Sequence, residues 1–275
     1  MGLTVNTNLS AISAANSLNN TQGNLSNTLS RISTGLRVTK AADDAAGSAV
    51  AANLSTQARS GRQAIRNSND GVSVIQTAEA ASKEVVNILD RMRELAVQSS
   101  SETLANGERD YINDEFDQLS NEIERIAQAT EFNDISLANG DKSSLTVQVG
   151  VTSGTESEVA ITLGNLTTSN LGVQTTDVDL TLASASQTAI DTIDTAIDSV
   201  NSIRASYGAT QNRLDSAMSN MSTYVESLTG AASQIMDADY AHETAEMTRL
   251  QVMQQAGVAA LGQARGMNQS VLSLL

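Results

Sequence analysis

The sequence predicts a mainly α fold. Long antiparallel coiled-coil helices fold over as a hairpin, a small β-hairpin insert sits between them, and the N- and C-termini pair. Three observations lead there. The first is a seam: Ile190, Ile193, Ile197, Val200, Arg204, Tyr207, Gln211, Leu214, Met218, Met221, Val225, Leu228, Ala232 and Ile235 follow one another in steps of three and four. That 3.5-residue repeat keeps one helix face turned to a partner. At 1.5 Å per residue the stretch is a rod of about 69 Å, which must share its stripe with other long helices. The second is composition: there is no Pro to break such helices, and only four Tyr, two Phe and no Trp to fill a bulky core. The third is charge. Residues 1–42 and 247–275 hold no Asp or Glu, so all 31 acids lie between them. Ends are usually polar and frayed; these apolar, acid-free ends read as surfaces built to be buried together.

Taken in order, Val5, Leu9, Ile12, Ala15, Leu18, Gln22, Leu25, Leu29, Ile32 and Leu36 predict a first helix from about Leu9 to Leu36. Residues 37–44 break it, with Asp43 or Asp44 as N-cap of the next helix. That helix carries Val50, Leu54, Ala58 and Ile65, and Asn69-Asp70-Gly71 reads as a turn or kink. The pattern resumes over Val72–Gln98, pauses at Glu102–Gly107, and returns over Glu108–Ala129 with Ile112, Phe116, Leu119, Ile123 and Ile126. Past Phe132 the period becomes two. Leu145–Val149 and Val159–Leu163 alternate around a Gly-, Ser- and Thr-rich loop, a β-hairpin pattern. Val178, Leu180 and Leu182 read as a short third strand. After the rod, 236–241 reads as a break, and Leu250, Met253, Gly257, Ala260, Ala264, Met267, Val271 and Leu274 mark a last helix. Two domains follow: a discontinuous terminal helical domain of 1–42 with 236–275, and a coiled-coil rod of 43–235 that includes a β insert at 134–188.

Several function classes are disfavoured. A net charge of −15 argues against nucleic acid as partner. No stretch has the form of a secretory signal peptide or of a membrane span, so no membrane insertion is expected. Without Cys there is no thiolate metal site or thiol nucleophile. The run His242-Glu-Thr-Ala-Glu246 approaches a zinc-protease pattern, but its second position is Glu246, and His242 is the only His. Asp191, Asp194 and Asp198 share a helix face and read as solvated charge. Asp177 and Asp179 lack the glycine and terminal Glu of a calcium loop. No cofactor, metal or catalytic residue is therefore assigned.

Several long motifs occur in an order that resembles the bacterial flagellins. They are Ser33–Gly47, Asn69-Asp-Gly71, Arg93-Glu-Leu-Ala-Val-Gln98, Phe132-Asn133, Asp237-Ala-Asp-Tyr-Ala241, Gln254-Gln-Ala-Gly257 and Val271-Leu-Ser-Leu-Leu275. The resemblance spans nearly the whole chain. It implies a structural filament subunit for motility, secreted unfolded through the flagellar type III apparatus and found in the extracellular flagellum. It implies self-association into a helical homopolymer, together with a secretion chaperone, cap and hook-junction proteins. It further implies terminal helices that are disordered in the monomer and helical in the filament. The short span at 134–188 implies a form with little or no outer variable domain. A hook–filament junction protein shares the terminal architecture and is the alternative.

The same resemblance implies site residues. Leu9, Ile12, Leu29, Ile32, Leu250, Val271 and Leu274 fall on the terminal helices that polymerise. Ile197, Val200, Leu214, Met221 and Leu228 fall on the coiled-coil seam. Arg91, Leu95 and Glu115 stand where flagellins sensed by the innate flagellin-sensing Toll-like receptor contact it. From spacing alone, Leu95 also continues the apolar row of Met92, and Arg91 is within reach of Asp90 or Glu94. Arg204 and Gln211, polar members of the seam beside Gly208, read as register-setting contacts.

Overall fold

The computed structural model describes residues 7–272. It is dominated by helices: α1 (Leu9–Thr34), α2 (Ala45–Ser99), α3 (Asn106–Ala129), the single turn α4 (Thr168–Leu171), α5 (Ala183–Met236) and α6 (Tyr240–Leu272). Among the described residues no helix is long and apolar enough to cross a membrane. Two hairpins complete the chain. β1 (Glu131–Phe132) pairs with β2 (Ile135–Ser136), and β3 (Ser144–Gln148) pairs antiparallel with β4 (Glu158–Thr162) from Ser144↔Thr162 to Gln148↔Glu158.

The chain divides into two compact units. The first comprises residues 1–57 and 226–275. In it α1 lies along α6, as the acid-free ends predict. Asn8 caps α1 by accepting from the Ala11 amide (3.0 Å), and Gly35 ends it at φ +70°, a left-handed conformation that glycine adopts without steric cost. A short antiparallel bridge then joins Leu36 to Asp237, with Arg37 N donating to Met236 O (2.7 Å) and Ala238 N to Gly35 O (2.9 Å). Asp44 caps α2 by accepting from Gly47 N (2.8 Å), while Asp43 accepts from Thr39 and Lys40. α2 and α5 run unbroken across these boundaries, α2 from Ala45 and α5 to Met236.

The second unit, 58–225, holds the dense core. Val85, Leu89 and Met92 of α2 meet Phe116 and Ile123 of α3 and Ile193 and Val200 of α5, all at zero exposure. The β3–β4 hairpin packs Val159 and Ile161 on Ile75, Tyr207 and Leu214. Two sequence expectations are corrected here. Asn69-Asp70-Gly71 is not a turn: α2 runs unbroken through it. Gly71 serves close approach instead, since a Cβ there would stand 3.0 Å from Val147 and 3.3 Å from Leu214. Val178, Leu180 and Leu182 form no strand; Val178 and Leu180 are buried in a coil that crosses the core, while Leu182 is exposed. The β1–β2 hairpin has no alternating pattern to betray it. Its two turn residues, Asn133 and Asp134, both sit at positive φ (50° and 61°), as a tight two-residue hairpin requires.

Candidate assembly surfaces

The α1–α6 pair in the first unit is held by few groups. Arg31 Nη1 lies 3.3 Å from Glu243 Oε1, and Glu243 is 6 % exposed. Asn8 Nδ2 donates to Ala264 O (2.9 Å), Gln254 bonds to Gln22, and Gly257 lets Leu18 approach closely. The buried residues of α1 are Thr21 and Thr28 alone, so this helix contributes no apolar core. Three of its large side chains face outward: Leu9 is 75 % exposed, and Ile12 and Leu29 are also more than half exposed. On α6, Tyr240, Val252, Met253 and Val258 are exposed. Ile32 is half-buried and Leu250 buried. The Val271 side chain and all of Leu274 lie outside the described residues. The lone histidine, His242, is an exposed residue in the first turn of α6.

Along α5 the seam residues differ in burial. Val200 and Leu214 are fully buried, Leu228 is buried, and Ile197 and Met221 are half-buried. Arg204 reaches Glu79 of α2 at 4.0 Å, and its buried Nε has no hydrogen-bond partner among the described residues. Beyond its seam position, Tyr207 accepts through its hydroxyl from Gly164 N (3.0 Å) and ties the end of β4 to α5. The strap of residues 164–182 is fastened in the same way. Glu124 accepts from Thr168 N and Oγ1 (both 3.0 Å), Ser120 donates to Val173 O (2.8 Å), and Ser99 donates to Leu180 O (2.6 Å). Those fastenings have no sequence signature, because each is one polar side chain meeting a backbone group far away along the chain.

The three residues assigned to receptor contact divide. Arg91 and Glu115 are both about half exposed and form a two-pronged pair, at 3.0 and 2.7 Å, and Arg91 also bonds Glu94. Leu95 departs from the expectation of a surface contact: it is 2 % exposed, packed in the core with Met92. Its position on the apolar row of α2 turns it inward, so in this chain it supports the surface from beneath. Asp194 accepts from Arg93, which holds its carboxyl below the usual range. Of the acidic face read on the rod, Asp191 and Asp198 are exposed.

Comparison with known proteins matches residues 5–143 to the bacterial flagellin N-terminal helical region and residues 190–275 to the bacterial flagellin C-terminal helical region. The unmatched span holds the β3–β4 hairpin and the strap. A flagellin of Halalkalibacterium halodurans is 41 % identical over 271 residues, covering 98 % of this chain and 99 % of that one. Flagellin A of Vibrio anguillarum is 30 % identical over an alignment of 378 residues that covers both chains completely, so it carries sequence this shorter chain lacks. A putative flagellar hook-associated protein from Vibrio parahaemolyticus shares the fold at a TM-score of 0.59 and 16 % identity, covering 71 % of this chain and all of that one. At that identity the likeness speaks for the fold and does not favour the junction alternative. Two family regions spanning most of the chain, and full-length relatives at 30 % and 41 % identity, place it in the bacterial flagellin family, as a structural filament subunit and not an enzyme.

Proposed function

We propose that the chain assembles into its filament chiefly through the terminal helices. The observation that carries this reading is the outward face of the α1–α6 pair, where Leu9, Ile12, Leu29, Val252 and Val258 stand exposed on a pair with almost no charge. Contiguous exposed apolar surface marks an interaction site. Burying each such side chain contributes about 1.5–3 kcal/mol. On this reading residues 1–42 and 236–275 line the inner tube and 43–235 form the shell around it. The seam residues Ile197, Val200, Leu214, Met221 and Leu228 hold that shell together, and Arg204 and Gln211 set its register.

Export in an unfolded state through the flagellar type III apparatus fits a chain with no disulfide to form and a weakly packed terminal pair. A secretion chaperone, the cap and the hook-junction proteins are its partners along that route. In a host, Arg91 and Glu115 are the accessible part of a surface for the flagellin-sensing Toll-like receptor, with Leu95 beneath it. A reporter assay checks this: purified monomer activates the receptor, assembled filament does not, and Arg91→Ala or Glu115→Ala lowers the response. No response to monomer would end the receptor reading.

Assembly itself is tested by adding purified chain to sheared filament seeds. Long filaments are expected. A product that caps seeds without elongating them would instead favour the junction protein.

A further inference from the structure

The second unit carries an unusual charge pattern for so acidic a chain. Residues 58–69 contain three arginines and no acid. Arg59, Arg62 and Arg66 lie at i, i+3 and i+7, on one exposed face of α2. Among the described residues Arg62 meets no carboxylate, and Arg66 bonds only to Gln63 on its own helix. Beside this face runs an open cleft of about 420 Å³ between α2 and the hairpin loop, lined by Ser60, Gln63, Asn67, Gln148 and Thr152 among others. Its lining carries no charge, and Ala64, Gly150 and Val151 make most of the surface it offers apolar.

A complementary feature stands elsewhere in the same unit. Helix α3 carries seven acids against two arginines. Asp110 and Asp114 are exposed, one turn apart, and have no ion-pair partner among the described residues. Between them Tyr111 is 77 % exposed, more than any other large apolar side chain described. Tyr and Arg are the residue types that concentrate binding energy at interfaces, and a guanidinium stacks on an aromatic face as well as pairing with a carboxylate.

We propose that α3 of one subunit docks on α2 of a neighbouring copy, with Tyr111 entering the cleft and Asp110 and Asp114 pairing with Arg62 and Arg66. This rests on the filament reading and names a charged contact outside the terminal helices. Opposite charge patches select the partner. Both patches belong to one chain and do not face each other within it, so the contact is heterologous and propagates in a line. Its geometry is fixed by the fold. The Arg91–Glu115 and Arg109–Ser99 contacts set Tyr111 level with about residue 96 of α2. About 34 residues of helix separate that level from Arg62, so subunits joined this way are displaced by about 50 Å along α2.

Charge exchange tests it, read as the rate of elongation on sheared seeds of the wild-type filament and of each variant's own. R62E with R66E, and separately D110R with D114R, each slow elongation about tenfold. The four substitutions combined in one chain restore it on their own seeds. Circular dichroism and thermal midpoints of the monomers exclude a folding defect. Tyr111→Ala slows elongation with the monomer midpoint unchanged. One-sided variants that elongate at the wild-type rate, or a combined variant no faster than either, would overturn the contact while leaving the filament reading intact. Wild-type chain that never elongates seeds would overturn both. Cryo-EM of the filament adds a geometric check: a lattice with no neighbour displaced by about 50 Å along α2 rules the contact out.

Discussion

Arg109 on α3 donates through Nε to the carbonyl oxygen of Ser99, the last residue of α2, at 3.0 Å, and through Nη2 to Ser101 O at 2.7 Å. The side chain is 6 % exposed and meets no carboxylate. A 55-residue helix ends here, and its last carbonyls concentrate negative potential. The buried guanidinium satisfies two oxygens and carries the compensating charge. Arg109→Met keeps much of the volume but leaves both carbonyls unpaired. It is expected to cost about 2–4 kcal/mol, read as a lowered urea midpoint of the monomer with helix content preserved.

Tyr207 supports the hairpin in a comparable way. It is 1 % exposed, and burial pushes its phenol above the ordinary range. Tyr207→Phe removes only the hydroxyl and strands the Gly164 N–H. The expected cost is about 1–3 kcal/mol, with faster hydrogen exchange at Gly164 and in β4 as the local readout.

Two carboxyls of α3 should give opposite pH signatures. Asp117 is raised by burial, then by Asp114 and Asp179, and its Oδ1 has no partner among the described residues. A raised acid binds its proton more tightly folded than unfolded. Stability is therefore lost as pH rises above the unfolded value near 3.8. Asp117→Asn should raise the thermal midpoint at neutral pH, and the gain should vanish in acid. Glu124 is lowered, chiefly by Gln128 and also by Thr168. Its contribution is present above the unfolded value of 4.5 and is lost as pH falls through the folded one. Glu124→Gln should lower the midpoint at neutral pH and match wild type in acid. Thermal midpoints measured from pH 3 to 8 decide both.

These side chains also mark where the sequence was legible. The rod was readable because Ile193, Val200 and Leu214 repeat at a period only a packed helix explains, and all three are fully buried. The acid-free ends announced their pairing because burying an unpaired acid is costly. Gly71 misled because Asn-Asp-Gly is common in turns, whereas here Gly makes room for Val147. The strap misled because Val178 and Leu180 alternate like a strand, yet the Leu180 N–H and C=O are met by the Asn113 and Ser99 side chains and the Val178 N–H by Gln174 O. Arg109 has no sequence signature, since nothing in local sequence says that a neighbouring helix ends against it. Leu95 was placed on the surface by resemblance, while its own apolar spacing pointed inward.

The weakness of α1 leads to the last prediction. Its buried residues are two threonines, and one partly exposed ion pair, Arg31–Glu243, crosses to α6. Such a pair opens at low free energy, since few buried contacts resist it. In the monomer, amides of α1 and α6 should exchange within seconds to minutes while those of Val85–Met92 stay protected. In the filament the exposed faces of Leu9, Ile12, Leu29 and Val258 are covered, and exchange in both helices should slow by about a hundredfold or more. Arg31→Ala leaves Glu243 buried without its cation and should widen that contrast by loosening the monomer pair further. Strong protection of α1 in the free monomer would contradict the argument, because it would require a packed core that this helix does not have.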